Sequence, residues 1–377
     1  MTNNTATALI YELQTSSKCI LWSGEYWNRW LAQHVLQSNQ PSLQQQQQQH
    51  DNDLLIIRIP HERLSSLIAS LVELLKNFLQ LDESDKTKVI CVGIAEGPYL
   101  PLAILALHAL TLSSEGRVVL CPVEVEVMDS AHTPHNNVSF NHRTASILED
   151  VRCDLLLVRG SAGAAADISR QNEFECLDVD DLVGEALEEM IDIEKNYHLL
   201  LPKQMTCGDD SGDEESSYRY ISHIVYTSGT TGKPKGCVAS MKALRHYIWA
   251  KNKAHGICAE STVLLASAVS FDPCLSDIIA TYCVGGCLAL PCRSIMQSDM
   301  SGVLHRLRVT HVLCTPSLWR IMPPLSLLLK NSLCACLEVV ALGGEKTSER
   351  IIQQWARTDS SSSGVRLLLT YGVTEGW

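Results

Sequence analysis

The most informative segment for chemistry is Tyr226–Gly236, which reads YTSGTTGKPKG. It follows an apolar stretch that predicts a buried strand, and it precedes a predicted helix. Its hydroxyl, glycine and lysine residues are Thr227, Ser228, Gly229, Thr230, Thr231, Gly232, Lys233, Lys235 and Gly236. Phosphate oxygens are bound by several hydrogen-bond donors together with a cation, and glycines let backbone N–H groups approach an anion. The segment therefore predicts a flexible loop that binds phosphate groups.

This loop differs from a Walker A loop, which needs glycine, four residues and then Gly-Lys-Ser/Thr. Here Lys233 is followed by Pro234, and the residue five positions before Gly232 is a threonine. A P-loop NTPase is therefore disfavoured. A plain linker between elements would not explain why lysines and glycines concentrate directly after a predicted buried strand.

Further motifs lie on both sides of the loop in a defined order along the chain. They are Ala145–Leu157 before it, then Phe271-Asp272, Thr315–Leu318, Gly343–Glu345 and Tyr371–Glu375. Together with the loop, they resemble the signature motifs of the adenylate-forming superfamily. That superfamily includes acyl-CoA synthetases, adenylation domains of nonribosomal peptide synthetases, and luciferases. The resemblance covers roughly residues 51–377, and several ordered motifs are more specific than any one alone.

The resemblance implies which residues contact ATP. It places Thr227 and Ser228–Lys235 at the β- and γ-phosphates. It also implies that an aromatic ring, that of Tyr371, stacks on adenine, a contact that π-stacking makes reasonable. The residues that match one wall of the adenine pocket are Gly343, Gly344 and Glu345. Taken by itself, Tyr371 could equally be a core tyrosine.

Two residues near the end of the chain match the family's catalytic groups. Thr374 matches a hydroxyl that donates to the α-phosphate. Glu375 matches the carboxylate that holds Mg²⁺, a hard cation that prefers oxygen ligands. An isolated Glu375 could also be an ordinary exposed carboxylate at the start of a helix. The implied reaction is attack of a substrate carboxylate on the α-phosphorus of ATP, followed by transfer of the acyl group to a thiol.

Asp272 is the best clue to which acid is activated. In peptide-synthetase adenylation domains, the matching aspartate pairs with the amino group of the substrate, and a buried carboxylate favours a cationic partner. A helix N-cap explains Asp272 equally well, because it directly precedes Pro273 and a predicted helix. The sequence is most similar to the β-alanine-activating enzymes of the aminoadipate-semialdehyde dehydrogenase group. A small amino acid such as β-alanine is therefore the expected substrate, with a fatty or aromatic acid as the alternative.

The resemblance also predicts the acceptor and the domain organisation. The expected thiol belongs to phosphopantetheine or CoA, and a carrier-protein domain is a possible partner. We expect residues 1–50, with the polyglutamine run Gln44–Gln49, to be poorly ordered, and 51–377 to form a partial large domain. Met241 and Val373 stand where many members have histidine and proline.

The family's next elements are not found after Glu375. They are a ribose-binding aspartate, the hinge, and a small domain carrying a catalytic lysine. The sequence therefore predicts exposed apolar surface and little complete activity. A non-catalytic ATP-binding fragment stays open as an alternative to a ligase.

The elements that would position these motifs alternate along the chain from Asp51 onward. Apolar runs such as Val89–Ile94, Asp154–Val158 and Val339–Leu342 predict buried strands, and amphipathic stretches between them predict helices. Such alternation predicts an α/β fold with mostly parallel sheets flanked by helices. The acidic stretch Cys207–Ser217 predicts a surface loop.

The composition of the chain limits the classes of partner that we expect it to bind. The formal net charge is -12, with 30 Lys and Arg against 42 Asp and Glu, so nucleic-acid binding is disfavoured. The 15 cysteines lack zinc-finger spacing and mostly sit in apolar runs, which predicts reduced, buried thiols in a cytoplasmic protein. The N-terminus shows no secretory signal, and no apolar run reaches the ~18 residues that span a bilayer.

Overall fold

The computed structural model describes residues 19–23, 56–81, 86–94, 96–128, 137–159, 172–190, 220–228, 233–325, 334–355 and 365–376. In chain order the strands are β1 (Cys19–Ser23), β2 (Ile56–Pro60), β3 (Lys88–Gly93), β4 (Val118–Pro122), β5 (Glu126–Met128), β6 (Asn137–Ser139), β7 (Leu155–Val158), β8 (Glu175–Asp178), β9 (Ile221–Thr227), β10 (Lys235–Ser240), β11 (Thr262–Leu264), β12 (Cys287–Pro291), β13 (His311–Cys314), β14 (Val339–Leu342) and β15 (Arg366–Leu369).

The helices are α1 (His61–Phe78), α2 (Tyr99–Ser113), α3 (His142–Asp150), α4 (Val179–Met190), α5 (Met241–His255), α6 (Asp272–Cys283), α7 (Arg293–Ser298), α8 (Met300–Arg306), α9 (Pro316–Trp319) and α10 (Glu349–Trp355). A single 3₁₀ turn, Thr374–Gly376, follows β15 in the described part of the chain.

The fold is built on two large β-sheets. One has six strands in the order β10-β9-β4-β3-β7-β8, and the other has seven in the order β15-β14-β13-β11-β12-β1-β2. Neighbouring strands are parallel except for the β10–β9 and β1–β2 pairs at the edges. A separate antiparallel pair joins β5 to β6. The predicted α/β class with mostly parallel sheets and flanking helices is confirmed.

Helix α2 lies in the middle of the largest hydrophobic core. Its residues from Tyr99 to Leu107 are all buried, which is expected for a helix that is apolar on every side. The core around it includes side chains from β3, β4 and β7 of the six-stranded sheet, and from β11 and β12 of the seven-stranded sheet. This shared core holds the two sheets together.

A second core covers the other side of the seven-stranded sheet. Trp319 on α9 and Trp355 on α10 lie edge to face there, with ring centroids 4.8 Å apart. Both side chains are almost fully buried. They pack with α8 and with residues of β13 and β14.

The predicted elements are largely present, with one important difference around the phosphate loop. The loop was expected to lead directly into a helix, but strand β10 intervenes before α5 and pairs with β9 from Lys235–Thr227 to Ser240–Ile221. The reason is that the backbone of Lys235–Ser240 can hydrogen-bond along the free edge of β9, which local helix signals do not reveal.

Two predicted irregular segments lie mostly or wholly outside the described residues. Within 1–50, Cys19–Ser23 forms β1 in the seven-stranded sheet, and the rest, with the run Gln44–Gln49, lies outside. The acidic stretch Cys207–Ser217 also lies outside. Among the helices that the structure describes, none combines the length and apolarity needed to cross a bilayer.

Candidate functional site

The carboxyl ends of strands from both sheets meet at one place, where ligands bind in open α/β folds. Thr227 is the last residue of β9, and Glu375 lies in the 3₁₀ turn that follows β15. Thr227 Oγ1 donates a hydrogen bond to Glu375 Oε1 over 3.2 Å. The start of the predicted phosphate loop and the predicted metal carboxylate are therefore in direct contact, although 148 positions separate them in sequence.

Cys237 on β10 lies beside this contact and was missed by the sequence reasoning. Burial raises the pKa of its thiol, a hydrogen bond with Thr227 lowers that pKa, and the charges of Glu375 and Asp272 raise it. The charges of both predicted site carboxylates therefore act on this half-buried thiol. No sequence signal marks Cys237, because its place on β10, opposite Val225 of β9, is set only by the fold.

The root of the loop is held by helix α3. Tyr226 donates from its hydroxyl to Asp150 Oδ2 over 2.5 Å, and its backbone carbonyl accepts from Arg143 Nη2 over 3.0 Å. Gly236 is the register partner of Tyr226, and a Cβ there would lie 3.1 Å from the tyrosine ring. The last turn before the loop is therefore fixed through its backbone and its side chain.

Asp272 is the first residue of α6, and it is half-buried. The cap position belongs to Phe271, and no side chain forms a capping hydrogen bond there, so the N-cap interpretation of Asp272 is wrong. The physical reason is that the helix starts one residue earlier than the pattern suggested. Burial raises the pKa of Asp272, its own amide and Lys251 lower it, and the charge of Glu375 raises it.

The Gly343–Glu345 motif forms a tight turn after β14. A Cβ at Gly343 would lie 2.3 Å from Thr370 Oγ1, and Gly344 has a φ of +78°, so both positions favour glycine. The Glu345 carboxylate accepts hydrogen bonds from the amide and the hydroxyl of Ser317. This links the turn after β14 to the Thr315–Leu318 motif at the start of α9.

The other predicted site residues that the structure describes differ in exposure. The ring of Tyr371 is 96% exposed, so the core-tyrosine interpretation is wrong and the ring is open for stacking. Thr374 is half-buried, while Ser228, Lys233 and Lys235 are exposed. Gly229, Thr230, Thr231 and Gly232 lie outside the described residues. Within the described ranges, no cluster of three or more His, Cys, Asp or Glu suited to a metal is present.

Comparison with known proteins gives a family match. A family model described as AMP-binding enzyme matches residues 128–377. Nonribosomal peptide synthetase atnA of Emericella nidulans is 34% identical over 157 residues, which are 42% of this chain and 2% of that protein. Nonribosomal peptide synthetase valB of Aspergillus terreus is 28% identical over 251 residues, which are 66% of this chain and 8% of that protein. The chain thus spans a small part of these relatives.

Solved structures share the fold at low sequence identity. The complex of VinN with L-aspartate superposes with a TM-score of 0.62 at 16% identity, covering 84% of this chain and 70% of that one. The AMPPNP-bound form of the nonribosomal peptide synthetase FmoA3 gives 0.59 at 13% identity, covering 98% and 31%. The two relatives named above are nonribosomal peptide synthetases, so the comparisons do not single out the β-alanine-activating group.

Proposed function

Because this chain belongs to the AMP-binding enzyme family, we propose that it uses ATP to convert a carboxylic acid into an acyl-adenylate. The acid is a small amino acid such as β-alanine, as in the group that the motifs resemble. The acyl group then passes to a thiol of phosphopantetheine or CoA, with a carrier-protein domain as a possible partner. Thirteen cysteines in the described part of the chain are free thiols, as expected for a cytoplasmic protein.

The observation that carries this proposal is the hydrogen bond between Thr227 Oγ1 and Glu375 Oε1. ATP needs donors and cations around its terminal phosphates, and the sequence from Thr227 to Lys235 contains both. It also needs a magnesium ligand at the same place. Glu375 supplies an exposed carboxylate that forms no ion pair with the residues that the structure describes.

The residues present fit a magnesium ion. Mg²⁺ usually binds through one or two carboxylates together with substrate phosphates, and keeps several waters. A single carboxylate, Glu375, next to a phosphate loop meets this requirement. When bound, the ion would neutralise charge on the phosphate oxygens.

The protein's own groups then position the reaction. Tyr371 stacks on adenine, the turn Gly343–Glu345 closes one side of its pocket, and the hydroxyl of Thr374 donates to the α-phosphate. An oxygen of the substrate carboxylate attacks the α-phosphorus, and the bond to pyrophosphate breaks. The substrate ammonium pairs with Asp272, whose half-buried carboxylate lacks an ion pair with any described residue.

ATP–pyrophosphate exchange tests this function directly. With the protein, MgATP and labelled pyrophosphate, we expect label to enter ATP in the presence of β-alanine or other small amino acids. Propionate, an acid of the same length without the amine, should support much less exchange. Exchange that depends only on fatty or aromatic acids would contradict the amino-acid assignment. ATP binding without exchange for any acid would contradict catalysis.

A further inference from the structure

A hydrogen bond between two side chains links the two large sheets at their carboxyl ends. Ser270 Oγ donates to Glu124 Oε1 over 2.9 Å, although 146 positions separate the two residues in sequence. Glu124 lies two residues after β4 of the six-stranded sheet, and Ser270 lies in the segment that follows β11 of the seven-stranded sheet. Neither residue belongs to the motifs that predicted the site, so only the fold reveals this contact.

Ser270 lies in the short segment that leads into Asp272. It precedes Asp272 by two residues, and the chain around it forms a closed turn, because the Phe271 amide donates to the Ala268 carbonyl over 3.0 Å. Asp272 then begins α6, whose residues from 274 to 281 are all buried. Since the helix is fixed by its packing, the freedom that remains at Asp272 is that of the segment before it. The bond from Ser270 restricts that segment.

Glu124 is itself anchored to helix α3. Its backbone carbonyl accepts a hydrogen bond from Thr144 Oγ1 over 2.6 Å, and the Thr144 amide donates to Asn141 Oδ1 over 2.8 Å at the start of the helix. Thr144 is almost fully buried. The next side chain along the helix, that of Arg143, holds the root of the phosphate loop. The segment before Asp272 and the start of the phosphate loop are therefore both tied to α3.

The stability of the fold does not account for the bond between Ser270 and Glu124. Glu124 is exposed and Ser270 is half-buried, so water competes for both groups and the net gain in stability is small. The consequence for geometry is larger. A misplacement of about 1 Å between reacting groups can cost about 100-fold in rate.

We propose that Glu124 is a positioning residue, which holds Ser270 and thereby fixes the Asp272 carboxylate relative to the phosphate loop. An amino acid that binds Asp272 through its ammonium group then presents its carboxylate to the α-phosphorus of ATP. The inference deepens the proposed function and rests on it.

Hydrogen–deuterium exchange of backbone amides, measured by mass spectrometry, tests the positioning without requiring turnover. We expect the segment 265–275 to exchange about 2- to 10-fold faster in Ser270→Ala and in Glu124→Ala than in the wild type, the change that follows from the loss of one hydrogen bond. The amides of β14 should not change, because that strand is paired on both sides. The matched control is Ser298→Ala, which removes a hydroxyl that bonds to the Ile295 carbonyl of its own helix α7. It should leave the segment 265–275 as in the wild type.

ATP–pyrophosphate exchange then separates positioning from a merely structural role. We expect Ser270→Ala to lower the kcat/KM for β-alanine about tenfold, while the dissociation constant for MgATP stays that of the wild type. Ser270→Thr keeps the hydroxyl and should retain most of the activity. In an Asp272→Asn background, Ser270→Ala should have little further effect, because the group that it positions is already lost.

A double-mutant cycle tests whether the two residues act through one bond. Glu124→Ala should give the same loss as Ser270→Ala, and the double variant should lose no more than either single variant. Losses in kcat/KM that add in the double variant would overturn the proposal. A loss of MgATP affinity as large as the loss in kcat/KM would also overturn it, since general damage to the fold affects both.

These outcomes are distinct from a failure of the proposed function. If the wild type supports no ATP–pyrophosphate exchange with any acid, the adenylation assignment fails, and the amide exchange of 265–275 still decides the role of Glu124. Unchanged amide exchange of that segment in both single variants would refute the positioning role. Should Glu124→Ala not fold, the comparison of Ser270→Ala with Ser270→Thr carries the same expectation, and equal behaviour of those two variants would refute the proposal.

Discussion

Replacement of Glu375 by glutamine is expected to lower amino-acid-dependent ATP–pyrophosphate exchange by about 100-fold or more. Glutamine keeps the size of the side chain and can still accept from Thr227 Oγ1. It loses the negative charge that Mg²⁺ requires of its ligand. The loss should therefore appear mainly as a weaker apparent affinity for magnesium, with partial rescue at high magnesium concentration.

The matched control for this change is Glu349→Gln at the first residue of α10, an exposed carboxylate on a neighbouring element. It removes the same charge without touching the site, so exchange should stay close to that of the wild type. Unchanged magnesium dependence in the Glu375 variant would contradict the assigned role of this carboxylate.

Replacement of Asp272 by asparagine is expected to lower the kcat/KM for β-alanine by about 10- to 100-fold while the KM for ATP stays the same. The physical reason is that asparagine preserves the shape of the residue but cannot pair with an ammonium group. Exchange supported by propionate should remain unchanged or rise, because no carboxylate has to be desolvated next to a methyl group.

The pH dependence of the wild type gives the same test without a mutation. Burial raises the pKa of Asp272 above its ordinary value, so the use of β-alanine should decline as the pH falls through that raised pKa. The Asp272→Asn variant should lack this decline. Asp181→Asn, at an exposed position on α4, is the control for the loss of a carboxylate. Equal use of β-alanine by wild type and Asp272→Asn would refute the ammonium contact.

The architecture could be predicted from the sequence because its strands have a strong local signal. Val339–Leu342 and Leu155–Val158 are buried along their whole length, and parallel strands covered on both faces appear as continuous apolar runs. Strand β10 has no such run. Three of its six residues, KGCVAS, are exposed, and it forms because the edge of β9 is available for pairing.

The candidate site could be predicted in part, because some of its residues also have a strong local signal in the sequence. The loop from Thr227 and the residue Glu375 stand out by type and order in the sequence. Cys237 does not, because only the folded chain brings β10 next to the 3₁₀ turn. Lys251 did leave a signal, since it interrupts an apolar helix face at regular spacing. That spacing predicts a buried lysine, but it does not identify Asp277, which accepts a hydrogen bond from Lys251 Nζ over 2.5 Å, as its partner.

The central claim is that Thr227 and Glu375 bind one magnesium–nucleotide complex together, and a double-mutant cycle tests it most directly. The measured quantity is the dissociation constant for ATP of the wild type, Thr227→Val, Glu375→Gln and the double variant, with magnesium and with EDTA. We predict that the two losses are non-additive by about 0.5–3 kcal/mol with magnesium, and that this coupling disappears in EDTA. Losses that add in both conditions would show that the two residues do not share a nucleotide site.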